Sequence, residues 1–361
     1  MSIRSAACLL LPLVLALAAQ PSVGCTSFCF DTPDGPVFGA NLDYRLGEGV
    51  VIVNRRDVAK EGFLPNSAGD PASWVSRYGS VTFNLVGREL PWGGMNEVGL
   101  VVAGMSLKIT GFPPDDERYP VGSATWTQYV LDTCATVDEV IAAQDSLRLK
   151  DDAVHFLVAD ESGECVVIEY LGSKTIIYSG ESLPVHALAN AAYHDCLKYI
   201  ESGVVPEFNP GASVQRVAAA AQWSERWDQN GDIAANDWAL GILTEAVVDP
   251  KTIWKSWFGD PYTRWSVVYD ISRREVRFRT VEHEPVRRFA LSDFDFACDA
   301  KVLMLDVNAK LEGSVAHAFV PYDAEWNYEL ARDFLDEYGS SLTDDQVREL
   351  AAFLGGFSCG P

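Results

Sequence analysis

The sequence has few of the residues that most often build metal sites. Its 361 residues contain only five histidines and no C-x-x-C pair. The histidines are His155, His186, His194, His283 and His317, and none of them has zinc-site spacing. Residues 228–232 (DQNGD) begin like a calcium loop but lack its sixth-position glycine and twelfth-position acid, which indicates an exposed turn. The sequence therefore predicts no metal site.

Positive charge is also scarce. Lysine and arginine total 28 against 51 aspartates and glutamates, which gives a net charge of −23 and a pI near 4.5. Such a charge repels nucleic acid and anionic lipid surfaces, so nucleic acid is excluded as an expected partner. The chain is long enough for one large domain or two ordinary ones, and its 48% hydrophobic content is typical of a globular protein.

Long apolar runs are absent after residue 24. The apolar run at residues 6–19 is shorter than the roughly 20 residues that span a bilayer. Arg4 precedes it, and the small residues Ser22 and Gly24 stand three and one positions before Cys25. This pattern predicts a signal peptide over residues 1–24, cleaved before Cys25. We expect an exported protein, periplasmic or secreted, without stable membrane insertion.

A lipid anchor on Cys25 is the alternative to simple cleavage. Lipoprotein signals carry a leucine-like residue three positions before the cysteine, where this chain has Ser22. The match is partial, so cleavage without lipidation is favoured. A lipid on the sulfur would abolish thiol chemistry at Cys25.

The cysteine count fits an oxidising compartment. Of eight cysteines, Cys8 lies in the predicted signal peptide, and a reactive Cys25 leaves an even number, six. Cys298 and Cys359 both lie in the C-terminal part and could pair, although the sequence leaves the connectivity open.

The pattern of strands and helices predicts an α+β fold. Short β runs separated by turns fill the first half, residues 154–180 read as three consecutive strands, and residues 265–282 read as a hairpin. Helices are predicted at 123–143, with Thr136 as a cap, at 213–227, at 236–247 and from about 323 to 353. Stacked sheets flanked by helices would bury so many two-sided strands.

Cys25 would gain a base of its own if it became the first residue. A thiolate is the attacking form of cysteine, and a free thiol is only slightly ionised at neutral pH. An α-amino group, with an unperturbed pKa near 7.7–8.0, can accept the thiol proton. No histidine is then required. Position alone would equally allow a disulfide or an anchor, so the interpretation depends on the sequence that follows.

Five stretches carry a family resemblance, in the same order along the chain. They are CTSFCFDTPDGPVFGANLDY (25–44), GGMNEVGLVVAGMSL (93–107), LPVHALANAAYHDCL (183–197), ASVQRVAAA (212–220) and RWSVVYDISRREVRFRT (264–280). Together they resemble the choloylglycine hydrolase family of N-terminal-nucleophile hydrolases, which includes bile salt hydrolases and penicillin V acylases. Several weak motifs in the correct order are more specific than any one alone.

The resemblance implies a fold and a site. It implies a four-layer αββα amidase domain over residues 25–300, followed by a small, mostly helical C-terminal extension, 301–361, packed on it. It implies no cofactor. The implied site residues are Cys25 as nucleophile with its amine as base, Asp43 as the group orienting it, Asn190 and the backbone N–H at Ser106 as oxyanion donors, and Arg216 near the thiol.

Two positions depart from the family pattern. Ala40 stands where the family has an arginine that favours the thiolate by its charge. We expect Arg45, Arg216 or another cation to replace it, or the pKa of Cys25 to be less depressed. Ala189 replaces a threonine before Asn190, which is a milder change.

The resemblance implies an exported cysteine amidase that hydrolyses linear, non-peptide amides of N-acyl compounds, such as conjugated bile acids, penicillin V or N-acyl amides. Its partner would be such a small molecule, and homo-oligomerisation is left open. Two alternatives stay open beside it: a weakly active or inactive binding protein or lipoprotein on the same fold, and an acyltransferase.

Overall fold

The computed structural model describes residues 24–63, 70–150, 153–204, 209, 212–227, 233–247 and 262–360. The predicted signal peptide therefore lies outside the described residues except for Gly24, and so does the predicted turn at 228–232.

The first part of the chain is mainly β. Its strands are β1 Thr26–Phe30, β2 Val37–Tyr44, β3 Val50–Asn54, β4 Val58–Glu61, β5 Ser73–Val75, β6 Ser80–Asn84, β7 Pro91–Asn96, β8 Val101–Ser106 and β9 Tyr119–Val121. Helices α1 Ser123–Thr133 and α2 Val137–Ala143 follow, and then strands β10 Leu147–Leu149, β11 Val154–Ala159, β12 Cys165–Leu171, β13 Lys174–Ser179 and β14 Ala187–Leu188.

The second part mixes helices and strands. It contains α3 Tyr193–Glu201, α4 Ser213–Glu225 and α5 Ala235–Gly241, which continues into a π-helical turn at Ile242–Ala246. The next strands are β15 Tyr262–Asp270, β16 Glu275–Thr280, β17 Arg287–Ala290, β18 Leu303–Asp306, β19 Gly313–Ser314 and β20 Val320–Pro321. Helices α6 Ala324–Glu337 and α7 Asp344–Gly355 and strand β21 Ser358–Cys359 complete the chain, and 3₁₀ turns lie at Gly180–Ser182, Leu291–Asp293 and Ala316–Ala318.

Two large sheets form the centre of the molecule. One has seven strands in the order β14-β1-β2-β15-β16-β17-β19, and the other has nine in the order β13-β12-β11-β8-β7-β6-β3-β18-β20. One hydrophobic cluster contains Leu42 and Val267 of the first sheet together with Val81 and Leu157 of the second. The sheets therefore stack face to face around this core.

Helices cover the outer face of each sheet. Helix α1 packs on β7 and β8, with the Trp126 ring stacked 4.1 Å from that of Phe156. Helices α4 and α5 cover the other sheet, where Val217 lies in one cluster with Phe28. Because both faces of each sheet are covered, a strand such as β1 is buried at every position. The predicted αββα layering is confirmed.

The local predictions agree with the structure in most places. Strands β11–β13 and the β15–β16 hairpin are confirmed. The helix predicted over 123–143 is instead two helices, because the chain is extended at Cys134 and Thr136. The Thr136 hydroxyl accepts the backbone N–H of Glu139, which confirms the predicted cap.

The C-terminal residues add strands to the central sheets. Strand β18 pairs with β3 in the nine-stranded sheet, and β19 pairs with β17 in the seven-stranded sheet. Strand β21 returns to β4, and a disulfide joins Cys298 to Cys359, which confirms the pairing considered from the sequence. Within the described residues, no helix is long and apolar enough to cross a membrane.

Candidate active site

Cys25 stands immediately before β1, which lies between edge strand β14 and β2 in the seven-stranded sheet. The antiparallel pairing of β1 with β2 sets Thr26 opposite Asn41, so Cys25 lies beside the end of β2 that carries Asp43. The Cys25 Sγ is 4.0 Å from the backbone oxygen of Asp43. Cys25 is only 6% exposed. The hairpin thus brings together two of the predicted site residues, which lie 18 positions apart.

Asp43 is a buried carboxyl with one strong hydrogen bond. The Thr263 hydroxyl on β15 donates to its Oδ1 at 2.6 Å. Burial raises the pKa of Asp43 to about 6, although the Arg216 charge and the Thr263 hydrogen bond act in the opposite direction. This carboxyl therefore titrates closer to neutrality than an ordinary aspartate.

Arg216 connects β1 to Asn190. It is 1% exposed and lies on α4, which packs against β1. Its Nε donates to Thr26 Oγ1 at 3.1 Å, and its terminal nitrogen donates to Asn190 Oδ1 at 2.8 Å. Burial lowers the pKa of the guanidinium, and the nearby Asp43 and Cys25 raise it. An arginine keeps its charge under such shifts, so this is a cation beside the thiol.

Asn190 follows β14 at the edge of the same sheet. Its Nδ2 donates to the backbone oxygen of Ser106 at 2.8 Å, and its backbone N–H donates to Ser213 Oγ at 2.6 Å. The amide therefore faces the end of β8, where the second donor is predicted. In this arrangement Ser106 contributes its carbonyl to the Asn190 side chain, while its own N–H remains the predicted donor.

Gly24 fills the space beside these groups. It is buried, and a Cβ at this position would lie 1.8 Å from Asn190 Oδ1 and 2.9 Å from an Arg216 nitrogen. In this environment burial, followed by the Asp43 charge, raises the pKa of Cys25 to about 12, and Arg216 only partly offsets the rise. With Gly24 attached, the thiol is therefore protonated at neutral pH.

Ala40 stands where the family has an arginine, and neighbouring strands enclose this position. Ala40 is 1% exposed and lies opposite Ser27 on one side and Val267 on the other. Arg45 is directed toward Glu337 on α6, at 3.4 Å and 37% exposed. Of the cations expected to compensate, Arg216 contacts Thr26 and Asn190 at the site, and Arg45 forms an ion pair with Glu337.

Sequence reasoning missed three residues of the site. Thr26, Thr263 and Ser213 hydrogen-bond Arg216, Asp43 and Asn190 respectively. Thr26 and Ser213 lie inside quoted motifs, Ser213 three residues before the arginine, but hydroxyl residues are too common to single out without knowing their neighbours. Thr263 lies just before a quoted motif. Groups of three or more potential metal ligands are absent from the described part of the chain.

The geometry can be compared with known proteins. The family model for linear amide C–N hydrolases, choloylglycine hydrolase family, matches residues 25–198. The penicillin V acylase of Pectobacterium atrosepticum is 28% identical over 206 residues, 51% of this chain and 54% of that protein. The family-model match begins at Cys25 and includes both Asp43 and Asn190. Over residues 25–198 the chain therefore matches the choloylglycine hydrolase family of linear amide C–N hydrolases.

Solved structures agree on the fold. The penicillin V acylase from Agrobacterium tumefaciens superposes with a TM-score of 0.71 at 21% identity, covering 83% of this chain and 98% of that one. A mutant of the conjugated bile acid hydrolase from Clostridium perfringens gives 0.64 at 14% identity, covering 80% and 98%. The chain therefore has the N-terminal-nucleophile hydrolase fold. Its match spans about half the length of the curated Pectobacterium relative.

Proposed function

We propose that this protein is an exported cysteine amidase of the choloylglycine hydrolase family, processed so that Cys25 becomes its first residue. In this proposal the enzyme hydrolyses linear amide C–N bonds of N-acyl compounds, with the Cys25 thiol as nucleophile and its α-amine as base. The convergence of Cys25, Asp43, Asn190 and Arg216 at the end of β1 supports it most directly.

Processing before Cys25 would change the site in three ways. It creates the free amine, which exists on no uncleaved chain and can accept the thiol proton. It removes Gly24, which otherwise occupies the space next to Asn190 and Arg216. It also lets water reach the thiol, which reduces the desolvation that raises the pKa of Cys25. Activity would therefore begin only after export.

The proposed reaction is acyl transfer to water. The amine takes the thiol proton, and the thiolate attacks the amide carbonyl carbon. The oxyanion accepts a hydrogen bond from Asn190 Nδ2 and another from the backbone N–H at Ser106, each worth roughly 3 kcal/mol in such sites. The ammonium then gives its proton to the leaving nitrogen, and water releases the acid from the thioester. Asp43 would accept a hydrogen bond from the amine and orient it.

The substrate class follows from the relatives. One is named a penicillin V acylase and another a conjugated bile acid hydrolase, and the matching family model describes linear amide C–N hydrolases. We therefore propose penicillin V, conjugated bile acids and other N-acyl amides as the panel, and the periplasm or the extracellular medium as the place of action.

The test compares two forms of the protein on that panel. One form starts with free Cys25, released from a fusion by a protease that leaves no extra residue, and the other retains Gly24. We expect amine release from at least one substrate by the first form only, and none by its Cys25→Ala variant. Full turnover by Cys25→Ala would contradict the proposal.

Ala40 supports one second candidate, a weakly active binding protein on the same fold. The family arginine is absent there, and the Arg216 charge only partly offsets the rise in the pKa of Cys25. Tight binding of panel amides without amine release would favour this candidate, and a lipid-sized mass increase on Cys25 would favour a lipoprotein. Acyl products formed with an added amine would instead indicate an acyltransferase.

A further inference from the structure

His155 is a fully buried histidine that contacts the chain next to Asn190. It lies on β11 with 0% exposure, outside all the quoted motifs. Its Nδ1 is 2.8 Å from Glu169 Oε1 on β12, and its Nε2 is 2.5 Å from the backbone oxygen of Ala189. The carbonyl can only accept, so Nε2 carries a hydrogen wherever the proton between Nδ1 and Glu169 lies.

The contact acts on the peptide unit that joins Ala189 to Asn190. The carbonyl oxygen of this unit accepts from His155, and its N–H donates to Ser213 Oγ at 2.6 Å. Because a peptide unit is planar, two hydrogen bonds at its opposite sides fix its orientation. The two partners come from different layers, β11 in one sheet and the first residue of α4. The Asn190 Cα belongs to the same plane, so the point from which the Asn190 side chain starts is held with it.

Glu169 holds both the ring and the following helix. Its Oε1 lies 2.8 Å from His155 Nδ1 and also accepts the backbone N–H of Tyr193, the first residue of α3, at 2.8 Å. Glu169 is likewise 0% exposed. The segment from Ala189 to Tyr193 is therefore bracketed by the two members of one buried pair. Burying such a pair is costly compared with apolar side chains, so packing alone gives no reason for it.

We propose that His155 is a positioning residue for the oxyanion asparagine. By holding the Ala189 carbonyl, with Glu169 fixing the ring, it directs Asn190 Nδ2 toward the position where negative charge develops on the substrate oxygen. The inference rests on the proposed amidase function. It adds a residue that does not touch the substrate and acts through the backbone.

Two substitutions separate this role from general support of the core. In His155→Asn the amide nitrogen takes the place of Nδ1, so it reaches Glu169 but leaves Ala189 without a donor. In His155→Gln the amide nitrogen takes the place of Nε2, so it can still donate to Ala189. Both variants carry a neutral amide, and they differ in which hydrogen-bond partner of His155 is lost, Glu169 or the Ala189 carbonyl. His194→Asn, at a half-buried histidine on α3 that contacts the Asp195 carboxylate, is the matched control.

The measurement is kcat and KM of protein that starts at Cys25, normalised to titratable Cys25 thiol. We expect His155→Asn to lose about 10- to 100-fold in kcat with KM within about threefold, because a misplaced oxyanion donor acts on the transition state. His155→Gln should recover most of that loss, and His194→Asn should match the unsubstituted protein. Equal losses in both variants, or losses that only follow the fraction of titratable thiol, would overturn the inference.

A crystal structure tests the positioning role of His155 separately from the amidase proposal. If the unsubstituted protein releases no amine from the panel, the amidase proposal fails, and a crystal structure of His155→Asn still tests the contact. We expect the distance from Asn190 Nδ2 to the Ser106 oxygen to lengthen beyond 3.5 Å in that variant. A distance that stays near 2.8 Å would overturn the positioning role regardless of activity.

Discussion

Arg216 donates to the side-chain oxygen of Asn190 at 2.8 Å, and this contact decides which way the amide faces. With Oδ1 occupied by the guanidinium, Nδ2 is turned toward Ser106 and the thiol side of the site. An amide flipped by 180° would set its N–H groups against a buried cation, which is unfavourable. The arginine thus orients the amide of the proposed oxyanion donor and also supplies charge beside Cys25.

The first prediction separates these two roles of Arg216. In Arg216→Lys the positive charge remains, but one ammonium cannot bond Thr26 and Asn190 as the planar fork does. We expect kcat to fall about 10- to 100-fold on a panel substrate, with a smaller change in the alkylation rate of Cys25. Arg226→Lys, at an exposed arginine just after the same helix, is the control and should leave both values unchanged. A lysine variant with full kcat would show that charge alone suffices.

A second prediction concerns the pH dependence set by Asp43. Its pKa is raised to about 6 by burial, and its ionised form is needed to accept a hydrogen bond from the amine. Activity should therefore be lost as the pH falls through the pKa of Asp43. The α-amine must also be unprotonated to accept the thiol proton, so Asp43 is one of two groups that contribute to the acid limb.

Thr263→Val tests the assignment of this limb. The hydroxyl stabilises the ionised Asp43, so its removal raises the pKa of Asp43 and moves the acid limb of kcat/KM to higher pH, by about one unit. Thr175→Val, on edge strand β13 of the other sheet, should leave the limb where it is. If the acid limb does not move in Thr263→Val, a group other than Asp43 sets it.

A third prediction uses the steric limit at Gly24. A methyl group at this position would overlap Asn190 Oδ1, so in uncleaved Gly24→Ala protein either residue 24 or the Asn190 amide must shift, and either movement opens the space beside Cys25. We expect Cys25 in that protein to be alkylated several-fold faster than in the uncleaved parent at pH 8, measured by intact mass over time. Once residue 24 is removed, the two proteins are identical in sequence, and their rates should coincide. Unchanged alkylation of the uncleaved variant would mean that Gly24 does not shield the thiol.

The sequence predicted much of the fold because its local patterns are strong. Strands buried on both faces read as continuous apolar runs, as in β12, and the β15–β16 hairpin is closed by a four-residue turn between two β runs. Short elements such as β18 and β19 were not predictable. They have two to four residues each and are strands only because β3 and β17 offer them backbone partners.

The residues of the site also differ in whether the sequence could predict them. The predicted residues Cys25, Asp43 and Asn190 lie in ordered motifs, whereas Thr263 and His155, which bond Asp43 and the chain next to Asn190, lie outside them. Thr263 lies 220 positions from Asp43, and His155 lies 34 positions from Ala189, so no local spacing relates them. Hydrogen bonds between distant strands depend on sheet order and register, which a single sequence does not specify.

The last prediction concerns a buried ionic cluster in another part of the fold. Lys60 on β4 is 4% exposed, and its ammonium lies 2.7 Å from Glu89 and 2.9 Å from Asp132. In Lys60→Met two carboxylates would remain buried without this cation, so we expect a loss of about 3–5 kcal/mol in the free energy of unfolding at pH 7. Lys174→Met, at an exposed lysine on β13, should change it by less than about 0.5 kcal/mol.

The pH dependence of that loss identifies its cause. Burial already raises the pKa of Asp132 to about 6, and Lys60 is the main group that lowers it. Without the lysine the pKa rises further, so the folded variant binds a proton that the unfolded chain, with an ordinary aspartate pKa, releases. Its stability relative to the parent should therefore recover as the pH falls from 7 toward 5, measured by urea unfolding at each pH. A deficit independent of pH would point to lost packing of the lysine stem instead of unpaired charge.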